Sequence, residues 1–325
     1  MGNLPKNRLQ SNRPFLNVGV DYCGPFFIKE KRHRNRNKVK ANVAVFICFA
    51  TKAVHLELVG DLTIESFIGC LKRFFSRRGK SQNIYSDHGT NFIGARNEQK
   101  QLYDLIQSAQ TDPKVQTYLS KERITWSFIP PRAPHMGGLL EASVKLFKHH
   151  LLRTAGKTLL THEQLETFVI EVEAILNSRP LSPLSPDPND LLSLTPGRFL
   201  IGSPLTSFPQ TDLRDIPAGW LSSWEHAQQM RQHFWSRWQK EYLHQMISRN
   251  KWQSTSDPDI IKVGTLVVLK EDNLAPMDWK LARIVDVHPG QDKVVRIVTV
   301  RTNTGVYKRS VTRLRPLSIY ECKDD

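Results

Sequence analysis

The sequence predicts an α/β protein, with a mixed sheet flanked by helices, followed by a helical linker and a small all-β barrel. Three observations predict it. Several early stretches alternate apolar and polar residues or run almost continuously apolar, as strands do. Between and after them come stretches with apolar residues three and four apart, as on one face of a helix. From residue 262 the pattern changes to short strands separated by Gly- and Asn-containing turns.

Residues 1–14 form a polar, basic lead-in. "FLNVGVDYCGPFFI", 15–28, reads as a strand broken at Gly24–Pro25. "KEKRHRNRNKVK", 29–40, is a basic run. "ANVAVFICFA", 41–50, reads as a buried strand. "AVHLELVGD", 53–61, alternates, with Val54, Leu56 and Leu58 on one face, and the short join makes the two a hairpin. "TIESFIGCLKRFFSRRG", 63–79, has helical spacing, with Thr63 as N-cap and Gly79 as its end. "SQNIYSD", 81–87, is a short strand ending in an acid, 94–121 is helical and polar, and "RITWSFIP", 123–130, is a further strand. Helices are expected at about 139–154 and 162–177. This order gives a layered domain over 15–180. The stretch 181–252 joins a Pro/Ser-rich linker to a long helix at about 222–250. That helix carries Trp224, Phe234, Trp235, Trp238 and Tyr242; Trp224, Trp235 and Trp238 are too apolar a set to leave in water, so it reads as a packing helix rather than a base-stacking platform. The barrel occupies 262–317.

Composition narrows the partners. With 39% hydrophobic residues a sizeable core can form. Lys+Arg 46 against Asp+Glu 31 gives a net charge of +15, which points to an acidic partner, nucleic acid being the commonest. Cys23, Cys48, Cys70 and Cys322 have neither the spacing of a zinc site nor that of a disulfide framework, as in a reducing compartment. No apolar run reaches the length needed to span a bilayer, so no membrane partner is expected.

Three acids carry the chemistry. Asp21 lies in the first strand, Asp87 ends the fourth, and Glu141 opens a helix after the Gly137–Gly138 pair. Each has an ordinary alternative: a hydrogen bond to its own loop, an Asx turn with Gly89, and complementation of a helix dipole. If strands one and four are neighbours, the two aspartates come together, and a helix crossing the sheet edge adds the glutamate. Carboxylates so clustered need cations. Oxygen-only ligands suit Mg²⁺ or Mn²⁺, and two such ions about 4 Å apart stabilise phosphoryl transfer.

"VGVDYCGPF", "IYSDHGTNF" and "PHMGGLLEASVKLFK" resemble the three motif blocks of the retroviral-type integrase catalytic core, a DDE enzyme of ribonuclease-H-like fold. "RPFLNVGVDYCGPF", "IPPRAPHMGG" and "LNSRPLSPLSPDPNDLLSLTPGRFLIG" resemble the integrases of Bel/Pao LTR retrotransposons. The last segment, 262–317, is similar to their SH3-like C-terminal domain, and the likeness runs from about 13 to 317. It implies that Asp21 and Asp87 share one metal ion and Asp21 and Glu141 the other. Water then trims a 3′ end, and the freed hydroxyl attacks target DNA, with the protein supplying position and charge stabilisation. It implies double-stranded DNA as partner, both element ends and target, a homo-oligomer acting on paired ends, and a nuclear location after passage through the cytoplasm. Lys145 and Lys148, at i+4 and i+7 from Glu141, line its helix face and contact DNA on this reading; a solvated basic face is the alternative. Arg132 and His135 join them, and Thr90, Asn91 and Phe92 match the loop after the second acid, an active-site loop that includes His88, with Asn91 either holding that loop or serving as a simple turn residue.

Two departures stand out. His88 occupies a position where the family more often has Asn. The family carries a His/His/Cys/Cys zinc module ahead of the core, and residues 1–14 contain neither residue type, which implies a fragment of a longer polyprotein or loss of the module. The basic run 29–40 reads as a solvated loop, a phosphate-binding segment or a nuclear-import signal. The barrel's Lys262, Lys280, Arg283, Arg296, Arg301, Lys308, Arg309, Arg313 and Arg315 suggest contacts to the target backbone or to a partner, Arg309 and Arg313 foremost for DNA. The expected function is 3′-end processing and strand transfer. The alternatives are a domesticated or truncated integrase that binds nucleic acid without catalysis, and a ribonuclease-H-like nuclease.

Overall fold

Strand β1 (Asn17–Lys29) is the axis of the first sheet. In the computed structural model, β2 (Lys38–Cys48) pairs antiparallel with β1, Asp21 opposite Val45, and β3 (Val54–Val59) pairs antiparallel with β2, Leu56 opposite Val45. On its other side, β4 (Asn83–Ser86) and β5 (Thr125–Phe128) run parallel to it, and β6 (Leu160–Thr161) pairs with its far end. The order β3-β2-β1-β4-β5 makes the expected ribonuclease-H-like mixed sheet. The structure describes residues 12–29, 37–86, 111–128, 148–151, 159–253, 261–292 and 294–317, with 104, 108, 153 and 154; at 128, 218 and 247–253 only the backbone is described.

Strand β1 does not break at Gly24–Pro25 as its sequence suggests. It continues through a register irregularity between Cys23 and Phe26. Gly24 sits at φ +148°, and a Cβ there would meet Asn42 Oδ1 at 2.5 Å, so only glycine lets the two strands approach.

Helix α1 (Ile64–Arg78) is capped as its sequence indicates: Ser66 N–H donates to Thr63 Oγ1, and the Gly79 N–H closes the last turn on Phe75 O. It buries Phe67, Cys70, Leu71 and Phe74 against the sheet, where Phe74 stacks on Phe46 at 4.2 Å and Phe67 meets Trp126 at 5.1 Å. Helix α2 (Pro113–Lys121) starts on an Asp112 cap that accepts from Lys114 N and Val115 N. Helix α3 (His162–Asn177) buries Leu165, Phe168, Val169 and Val172.

The chain divides into two compact units, one of residues 1–176 with 216–234, the other of 177–215 with 235–325. Within the second, the Pro/Ser-rich stretch is folded locally. Strands β7 (Ser182–Pro183) and β8 (Ser193–Leu194) pair, and helix α4 (Pro196–Ile201) begins on a Thr195 cap and ends at Gly202 in the left-handed region. The long helix α5 (Ser223–Gln253) contributes to both units. In the second it buries Trp235, Trp238 and Tyr242. Trp238 stacks on Tyr242 at 5.4 Å and Trp235 meets Trp279 edge-on at 4.9 Å. Trp224 departs from the expectation. It is 62% exposed in the first turn of α5, ahead of the point where the buried stripe begins at Ala227, and Trp220 just before it is exposed too.

Strands β9 (Leu266–Leu269), β10 (Leu281–Pro289), β11 (Val295–Thr302), β12 (Gly305–Ser310) and β13 (Leu314–Pro316) form an antiparallel sheet in the order β12-β11-β10-β9-β13. Its core is Val267, Leu269, Ala282, Ile284, Val298, Val300 and Leu314. The expected barrel does not close: among the described residues β12 and β13 are the ends of the sheet and do not pair with each other.

Candidate active site

Asp21 follows Val20 on β1, opposite Val45 of β2. Alternation along β1 points it away from the face that carries Val20, Tyr22 and Phe46, against which α1 packs. Its two oxygens are engaged differently. Oδ1 accepts from the backbone N–H of Tyr22 at 2.7 Å, and Oδ2 meets the ammonium of Lys148 at 2.6 Å. The side chains are 33% and 28% exposed, so this is a water-accessible ion pair. Residues 148–151 are helical, and His150 beside Lys148 packs edge-on against Phe234 at 6.3 Å, which anchors the segment in the first unit. Burial pushes the thiol of Cys23, two residues from Asp21, up to about 12, with Lys148 pulling the other way and Asp21 adding to the rise.

Across the parallel pairing, Val20 stands opposite Ser86, the last residue of β4. Asp87 comes next in the chain and lies outside the described residues, as do His88, Thr90, Asn91, Arg132, His135, Glu141 and Lys145. Among the described residues no group of three or more His, Cys, Asp or Glu could hold a metal ion. Asp21 itself fits one. It is a hard oxygen donor with access to water, and it already carries a cation on Oδ2.

A second charged cluster in this unit was not singled out in the sequence. His55 and Glu57, on the face of β3 opposite Leu56, are 1% and 4% exposed. His55 Nε2 lies 3.0 Å from Glu57 Oε1, and its Nδ1 lies 3.1 Å from Glu173 Oε2 of α3 and 3.2 Å from Arg78 Nε. The Nδ1 proton can serve only the carboxylate. Burial alone would lower the pKa of His55, but hydrogen bonds to Glu173 and Glu57 hold it above its ordinary value, which favours the imidazolium donating to both. Arg73 and Arg77 of α1 bond Glu57 at 2.8 and 3.0 Å, and Arg78 bonds Glu173. Glu173 also accepts the outward N–H of Leu56 at 2.8 Å, so it caps the sheet edge at β3. This cluster joins β3, α1 and α3 and reads as structural.

In the second unit the arginines sort into two groups. Arg283 is buried and donates to the Gly264 and Asp190 carbonyls, and Arg315 is buried and donates to the Leu243, Thr312 and Leu314 carbonyls. Arg301 donates to Pro188 O and Asn189 Oδ1, and Arg296 pairs with Asp292. Of these four, Arg283 and Arg315 are buried with their partners, whereas the Arg296 pair with Asp292 is exposed. Arg313 is exposed, and Arg309 lies over the Tyr307 ring at 5.2 Å with Glu271 at 3.8 Å.

Residues 222–317 match the model of a family described as "Family of unknown function (DUF5641)". No curated protein matches the chain. Solved structures similar to it include a chain of the simian T-cell lymphotropic virus intasome in complex with the PP2A regulatory subunit B56 gamma, at 12% identity and a TM-score of 0.37, covering 99% of this chain and 85% of that one. The HTLV-2 integrase catalytic core domain in complex with magnesium, in a trimeric form, is similar at 16% identity and a TM-score of 0.37, covering 59% of this chain and 99% of that one.

Proposed function

We propose that the chain is a metal-dependent polynucleotidyl transferase of a Bel/Pao-type retrotransposon, which trims 3′ DNA ends and joins them to target DNA. Asp21, Asp87 and Glu141 are its metal ligands. One observation carries this reading: Lys148 Nζ lies 2.6 Å from Asp21 Oδ2. Lys148 stands seven residues after Glu141, and the sequence pattern expects one helix over both, so on this reading the contact places that helix beside β1. The parallel register of β1 and β4 supports it from the other side. Val20 is opposite Ser86, and the next residues along the chain are Asp21 and Asp87. On this reading the three carboxylates meet beside the central strand.

When bound, a pair of Mg²⁺ or Mn²⁺ ions supplies Lewis-acid stabilisation of the attacking and leaving oxygens. Asp21 holds its carboxylate ready through the fixed hydrogen bond from Tyr22 N–H. Lys145, Lys148, Arg132 and His135 orient the phosphates of the element's end, and His88, Thr90 and Asn91 shape the loop after Asp87. In the second unit Arg309 and Arg313 hold target DNA by its backbone. The chain acts in the nucleus as a homo-oligomer on paired ends.

The test is a nicking and strand-transfer assay on labelled duplex ends with Mg²⁺ or Mn²⁺. Wild type is expected to yield trimmed and joined products, and Asp21→Asn and Asp87→Asn to lose them by on the order of 10²-fold or more. Unchanged product in Asp87→Asn sinks the metal assignment. Salt-sensitive DNA binding by wild type without nicking or joining leaves a non-catalytic nucleic-acid-binding protein.

A further inference from the structure

We infer that Lys148 holds the place of a divalent cation on Asp21 in the metal-free chain, so that loading of the site exchanges one cation for another. The inference rests on Asp21 being a metal ligand. Both oxygens of Asp21 are engaged: Oδ1 by the Tyr22 N–H at 2.7 Å and Oδ2 by the Lys148 ammonium at 2.6 Å. Magnesium needs its oxygen ligands at 2.0–2.1 Å in a near-ideal octahedron. An ammonium seated on Oδ2 would repel a divalent ion and compete with it for that oxygen, so it would withdraw for Asp21 to coordinate through Oδ2.

The pair is built to separate. Lysine is a point charge on a flexible four-carbon stem, without the planar fork that locks arginine to a carboxylate. Both side chains reach water, so neither is left as an uncompensated buried charge when they part. The arginines on Glu57 and Glu173 differ, since they close on carboxylates that are 4% and 11% exposed. Once released, the Lys148 side chain is a cation free to meet a phosphate. Metal loading and engagement of nucleic acid are therefore coupled, and the metal-free chain keeps this base occupied.

The experiment is a Mn²⁺ titration of the full chain without DNA, with free Mn²⁺ followed by electron paramagnetic resonance. Lys148→Met is expected to lower the dissociation constant roughly two- to fivefold, the worth of an exposed pair. Lys148→Arg, which restores a cation to Oδ2, is expected to return it towards wild type. Arg153→Met removes an exposed charge five residues further along the chain and is expected to leave it unchanged. The exchange is overturned if Lys148→Met leaves the constant unchanged or raises it, if Lys148→Arg binds as tightly as Lys148→Met, or if Arg153→Met tightens binding equally. Asp21→Asn separates this from the parent reading. If it binds Mn²⁺ as wild type does, the metal site itself is refuted; if it loses Mn²⁺ while Lys148→Met changes nothing, only the exchange fails.

Discussion

The first unit contains two ionic clusters with opposite designs. Asp21 and Lys148 form a single contact, open to water on both sides. His55, Glu57 and Glu173 are almost closed from water and tied by Arg73, Arg77, Arg78 and the Leu56 N–H. Charges of the first kind are exchangeable, because water replaces the lost partner at little cost. Charges of the second kind are fixed, because loss of one partner strands the others in a poorly solvated site. The contrast therefore separates a site that can bind from a joint that holds elements together.

The largest effect that tests the contrast is on stability. Glu173→Ala removes the acceptor of His55, Arg78 and the Leu56 N–H together. It is expected to destabilise the first unit by about 3 kcal/mol in denaturant unfolding, whereas Asp21→Ala is expected to cost about 1 kcal/mol or less. Equal losses in the two variants break the distinction.

A smaller effect is expected with pH. His55 is held above its ordinary 6.5 by Glu173 and Glu57 against the opposing effect of burial, so its contribution is complete below 6.5 and fades as pH rises through the raised value. Burial would raise the pKa of Glu57, but hydrogen bonds from His55 and Arg73 hold it below 4.5, so its contribution is complete above 4.5 and fades as pH falls through the lowered value. The cluster is thus most stabilising between about pH 4.5 and 6.5. Melting temperature against pH is expected to decline above that window in wild type and to decline less in His55→Gln. Parallel profiles for the two proteins remove His55 from the account.

Why the sequence announced one cluster and hid the other follows from how each is built. Asp21 and Lys148 lie within motif blocks whose order along the chain can be recognised, and the hairpin pattern of 41–61 already made β1 central. The strand "VHLELV" alternates, and alternation ordinarily means a wet face for His55 and Glu57. What buries them is tertiary: Arg73, Arg77 and Arg78 come from the last turns of α1, and Glu173 arrives from α3 far along the chain. A His and a Glu two apart on a strand, followed by a helix ending in three arginines, is the signal that was present. The arginines of the second unit carry the same lesson. Their number suggests contacts to a DNA backbone or to a partner, yet Arg283 and Arg315 spend their donors on main-chain carbonyls, which sequence pattern cannot foretell. Trp224 errs the other way, since helical periodicity does not show where along α5 the buried stripe begins.

The smallest effect is the coupling energy of each pair, and it sharpens the contrast most. A double-mutant cycle on Asp21 and Lys148, with Asp21→Asn and Lys148→Met, is expected to give about 0.2–1 kcal/mol at low salt. With a Debye length of about 3 Å in 1 M salt, solvent ions reach both partners, and the coupling is expected to fall towards zero. A cycle on His55 and Glu173, with His55→Gln and Glu173→Gln, is expected to keep most of its coupling at 1 M, because their side chains are 1% and 11% exposed and ions cannot enter between them. Should the Asp21–Lys148 coupling persist at 1 M salt, the pair is a fixed joint like the other, and Lys148 is then too firmly held to yield its place to a metal ion.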